Sequence, residues 1–70
     1  MNIEISAEKI GERLKELRGY KPRRVVAEET GINLNTLISY ETGERVPRDI
    51  NKVVLANYYG KSVEEIFFTP

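Results

Sequence analysis

The feature that most constrains this chain is residues 23–43, RRVVAEETGINLNTLISYETG, which reads as two short helices joined at Gly31. Glycine adopts the left-handed conformation that ends a helix without steric cost. Asn33 suits the N-cap of the second helix, because its side-chain oxygen accepts an otherwise orphaned N–H of the first turn. Val26 and Ala27 mark the buried side of the first helix. Leu37 and Tyr40, three residues apart, mark that of the second, residues 34 to 42. This spacing leaves Asn35, Thr36, Ser39 and Thr42 on the outside, and places Ile38 against the first helix.

The rest of the chain follows the same logic. Ile10, Leu14 and Leu17 repeat at i, i+4 and i+7, so residues 6–19 form a helix with one buried stripe, ended by Gly19. Pro22 suits a first helical turn, where its missing N–H is not needed, and starts the helix over residues 22–30. Gly43 and Pro47 bracket a loop. A fourth helix over residues 48–59 is expected to turn Ile50, Val53, Val54, Ala56 and Tyr59 inward, with Gly60 as its stop. Ser62 and Glu65 form a capping box that opens a last short helix holding Val63, Ile66 and Phe67. Ile3 and Ile5 alternate with polar neighbours, as a short N-terminal strand would. The expectation is one all-α domain over residues 1–70, a compact bundle of five helices.

Composition removes several classes of function. The chain has no Cys and no His, so disulfides, thiol nucleophiles and zinc fingers are out, and no metal or cofactor is expected. Without a Gly-rich phosphate loop, and with its carboxylates spread over helix surfaces, an enzyme is a poor reading, and no small-molecule substrate is evident. The N-terminal residues lack the pattern of a signal peptide and no apolar run reaches membrane-spanning length, so a cytoplasmic protein without a membrane partner is expected. Net charge is zero, but it is unevenly spread. Residues 18–52 hold seven basic against five acidic side chains, and the flanks hold four against six.

Two short helices around a tight turn, the second with a small polar outer face, make a shape that fits a DNA major groove. The chain also resembles a known family at this point. Ile10-Gly-Glu-Arg-Leu14 and Leu17-Arg18, then Val26-Ala27, Gly31-Ile32, Thr36-Leu37 and Tyr40-Glu41 recur in order. Gly43-Glu-Arg-Val-Pro47, Ala56, Tyr59-Gly60 and Ser62-Val-Glu-Glu-Ile-Phe67 continue the set. Together they resemble the Cro/repressor-type helix-turn-helix regulators, the xenobiotic-response-element group with a lambda-repressor-like fold. The resemblance spans residues 10–67, with the helix-turn-helix over residues 22–42. It departs from the family at Pro22-Arg23, where a Ser/Thr-Gln pair is usual, and in a shorter first loop.

The resemblance implies a transcriptional regulator, a repressor of phage or mobile-element type, binding double-stranded DNA. It implies base reading by Leu34, Asn35, Thr36, Ser39 and Thr42, and phosphate contacts from Lys21, Arg23, Arg24, Arg45 and Arg48. Asn35 suits bidentate pairing with adenine, and Leu34 or the Thr36 methyl suits a thymine methyl. Arg18 and Glu41 match a structural ion pair. One recognition helix covers few base pairs, so a homodimer is expected, with Val63, Phe67 and Phe68 as its apolar contact. The competing expectation is a protein-interaction module, an antitoxin-like or antirepressor partner that keeps the fold and binds DNA weakly or not at all.

Overall fold

The computed structural model describes residues 5–70, so the expected strand, which needs Ile3, falls partly outside it. Five helices follow one another: α1 (Ala7–Arg18), α2 (Arg23–Thr30), α3 (Leu34–Thr42), α4 (Asp49–Tyr59) and α5 (Val63–Phe67). No strand occurs among the described residues; the Ile5 amide instead donates to the Phe67 carbonyl at 3.2 Å. No helix among them is long and apolar enough to cross a membrane. The domain is all-α.

Local chemistry sets most of the boundaries. The Ser6 hydroxyl caps α1 by accepting from the Lys9 amide. Asn33 Oδ1 accepts from the amides of Asn35 at 2.9 Å and Thr36 at 3.4 Å, which fixes the start of α3. Gly31 ends α2 with φ at 77° and ψ at 6°. The Ser62–Glu65 capping box forms with both bonds in place and opens α5. Pro22 differs slightly from expectation. It is the N-cap of α2, at an extended ψ of 143°, and the helix begins one residue later.

Ile10, Leu14, Val26, Leu37, Leu55, Ile66 and Phe67 form the centre of the core, each almost wholly enclosed. Tyr40 reaches it from α3, and its hydroxyl accepts from Asn51 Nδ2 at 2.8 Å, joining α3 to α4. Arg13 joins α1 to α5 by donating from Nη1 to the carbonyls of Glu65 and Ile66. Those carbonyls belong to the last turn of α5, where helices lack internal partners.

The register of α4 corrects the sequence reading. Ile50 and Val53 are 62 % and 46 % exposed, while Lys52, Leu55 and Ala56 face the core. Lys52, Leu55, Ala56 and Tyr59 stand at i, i+3, i+4 and i+7, a helix stripe hidden by the charge of its first member. The Lys52 stem buries its methylenes while its ammonium reaches Asp49, 3.6 Å away, and the face of Phe68.

The C-terminus also differs from the expected apolar contact. Phe67 is fully enclosed within one molecule and has no surface to give a second. Val63 and Phe68 are half-buried against the same core. The helix ends at Phe67, so Phe68 leaves the 100° progression that would have thrown it outward, and its ring lies under Lys52.

Candidate nucleic-acid interface

The outer face of α3 carries short hydrogen-bonding side chains and no charge. Asn35 and Thr42 are exposed, Thr36 and Ser39 are half-buried, and Leu34 keeps 37 % of its surface at the helix start. The expected reading residues therefore share one helix and are all at least partly accessible. Ile38 is half-buried beside them.

The loop after α3 is folded back onto its end. The Ser39 carbonyl accepts from the amides of Gly43, Glu44 and Arg45, the last two at 3.0 and 3.2 Å. Pro47 is fully buried and anchors the far side of the loop. The result is a shallow groove of about 350 Å³ lined by Thr36, Tyr40, Arg45, Val46 and Arg48. Two guanidinium groups thus border a neutral, hydrogen-bonding helix face, with no carboxylate in the groove lining.

Glu41, the one acidic residue of α3, is kept away from that face. Its side chain is fully buried and holds two arginines. Arg18 Nε donates to Oε2 at 2.8 Å and Arg18 Nη2 to Oε1 at 3.0 Å, a fork-on-carboxylate pair between α1 and α3. Arg23 Nε donates to Oε1 at 2.8 Å from the start of α2. The hydrogen bond to Glu41 holds the Arg18 guanidinium above its ordinary pKa. The implied Arg18–Glu41 pair is present, and Arg23 adds a third member that the sequence reading had assigned to phosphate.

Lys21, expected to contact phosphate, also has partners within the fold. Its ammonium donates to the Tyr58 hydroxyl at 2.8 Å and contacts Glu29 at 3.4 Å, while the Tyr58 hydroxyl donates to Glu29. The bond from Tyr58 holds the Glu29 carboxyl below its ordinary pKa. Lys21 thus bridges α2 and α4 while its side chain stays 45 % exposed. Of the five expected phosphate contacts, Arg24, Arg45 and Arg48 are exposed, and Arg45 and Arg48 line the groove.

Tyr59 lies close enough to Arg18 and Glu41 to feel both charges. Its hydroxyl is buried and finds no hydrogen-bond partner among the described residues. Burial pushes the phenol up to about 12 from an ordinary 10.0. The unfolded chain therefore loses this proton first, and stability is expected to fall as pH rises through that interval. An unpaired buried hydroxyl costs about 1–3 kcal/mol, so Tyr59→Phe is expected to hold stability or raise it by ~1 kcal/mol in urea unfolding. A clear loss of stability would show instead that the hydroxyl has a partner.

No group of three or more acidic side chains able to hold a metal ion occurs among the described residues. No protein-family model, curated protein or solved structure matches the chain.

Proposed function

We propose that the chain is a sequence-specific double-stranded DNA-binding regulator of Cro/repressor type, a repressor that reads the major groove with α3 and acts as a homodimer. The observation that carries this reading is the division of charge around α3. Its only carboxylate is buried between two arginines, its outer face is neutral, and Arg45 and Arg48 border that face. A polyanion meets positive charge at the rim and hydrogen-bonding groups in the middle. Phosphate contacts position such a helix, and the neutral side chains discriminate bases.

Affinity selection of the chain against a pool of random duplexes tests the proposal. The expected result is enrichment of a short motif that binds more tightly than its shuffled counterpart. Failure to enrich any sequence at low and moderate salt would reject it.

The same assay separates the two kinds of residue. Asn35→Ala and Thr36→Ala are each expected to weaken binding to the selected motif by about 1–3 kcal/mol while leaving random DNA nearly unchanged. Arg48→Ala is expected to weaken binding to every sequence and to lower the slope of log affinity against log salt by about one. Equal losses on both duplexes for Asn35→Ala would remove it from the reading face.

A further inference from the structure

We infer that Tyr40 has a second role beside its place in the core: its hydroxyl, held by Asn51, donates its hydrogen to a backbone phosphate of the duplex seated in the groove at Arg45 and Arg48. That the phosphate belongs to a duplex rests on the DNA reading above; the donor in the groove does not.

Tyr40 is only 4 % exposed, yet it lines the groove together with Thr36, Arg45, Val46 and Arg48. Its phenol oxygen accepts from Asn51 Nδ2 at 2.8 Å, in a part-buried bond. A phenol both accepts and donates. The Asn51 amide occupies a lone pair and leaves the hydrogen, which finds no acceptor among the described residues. Asn51 stands on the α4 side, so the hydrogen turns to the side left open, which is the groove. A donor enclosed without an acceptor is costly, and an acceptor entering the groove removes that cost.

The lining selects a phosphate as that acceptor. It holds two guanidinium groups and no carboxylate, so it favours an anion. A phosphate presents several oxygens, enough to accept from a guanidinium and from the phenol together. Thr36 of the expected reading face lines the same groove, so an anion seated there lies beside the bases rather than apart from them. The seat is ordered in advance. The Ser39 carbonyl holds the Arg45 amide at 3.2 Å, Pro47 is buried, and Asn51 fixes the phenol. Groups already fixed lose little freedom on binding.

Tyr40→Phe keeps the ring in the core and removes only the hydroxyl. It is expected to weaken binding to every duplex, selected or random, roughly tenfold. The slope of log affinity against log salt is expected to stay unchanged, because an uncharged donor releases no counterion. Arg48→Ala, by contrast, lowers that slope. Without DNA, inorganic phosphate added at constant ionic strength is expected to move the amide resonances of Thr36, Tyr40 and Arg45, and to do so more weakly in Tyr40→Phe. Should Tyr40→Phe lose helix content, Tyr40→Phe combined with Asn51→Leu, which leaves no amide unpartnered, is read in its place. Duplex binding equal to wild type, a loss accompanied by a lower salt slope, or phosphate shifts equal in both proteins would overturn the inference. Those results with a duplex motif still selected would leave the DNA reading standing. Phosphate shifts that depend on Tyr40, with no duplex bound at any salt, would keep the donor and reject the DNA reading.

Discussion

Gly11→Ala is expected to destabilise the domain by about 2–3 kcal/mol, although alanine is the better helix former by ~1 kcal/mol. Gly11 is buried in α1 where the helix crosses the end of α3. A Cβ there would stand 2.5 Å from the Glu41 carbonyl oxygen and 2.9 Å from that of Tyr40. Both are backbone atoms, so no flexible side chain can move aside. The added methyl must push α1 off α3, which also strains the Arg18–Glu41 pair about two turns further along α1. For a domain of this size the change corresponds to a drop in Tm of about 10–20 °C. Thermal and urea unfolding of wild type and Gly11→Ala check it. A gain in stability, as expected of an ordinary exposed helical glycine, would show that the two helices do not meet so closely.

Glu41→Ala is expected to cost about 3–5 kcal/mol, because it strands a mostly buried guanidinium. The Arg18 side chain is 15 % exposed and cannot regain full hydration without moving α1. Arg23, at 39 % exposure, swings into water more easily, so Arg23→Ala is expected to cost less than either member of the α1–α3 pair. A double-mutant cycle on Arg18 and Glu41 isolates the coupling. A value indistinguishable from zero would show that the fork contributes nothing net. The substitution also separates two roles of Glu41: it should loosen α3 in its seat even at temperatures where the domain stays folded.

What could be read in the sequence was mainly what is decided locally. Gly31, Asn33 and the Ser62–Glu65 box act on their own helix ends, and each stands where expected. The stripes of α1 and α3 were legible because Ile10 and Leu14 on the one, and Leu37 and Tyr40 on the other, are plainly apolar. The register of α4 was not, because its inward face begins with a lysine, and Ile50 and Val53 made a more apolar but wrong stripe. Gly11 gave no sign of its role, since a glycine inside a helix reads the same whether its lost side chain faces water or another backbone. The bond from Arg23 to Glu41 was hidden for a related reason. A charge beside a predicted binding helix looks free until the fold brings a buried carboxylate from another helix against it. The neutral face of α3 was visible from spacing, but the sequestering of Glu41 by two arginines emerged only from three helices meeting.

The central claim is that the outer face of α3 and its arginine rim meet nucleic acid. Titrating isotope-labelled chain with a short duplex and following the backbone amide resonances tests this most directly. Perturbations are expected at Asn35, Thr36, Ser39 and Thr42 and in the loop at Arg45 and Arg48, fading as salt is raised. Amides that stay unmoved across α3 while those around Arg13, Leu17 and Lys61 on the α1–α5 side shift, or no shifts at any salt, would contradict the account.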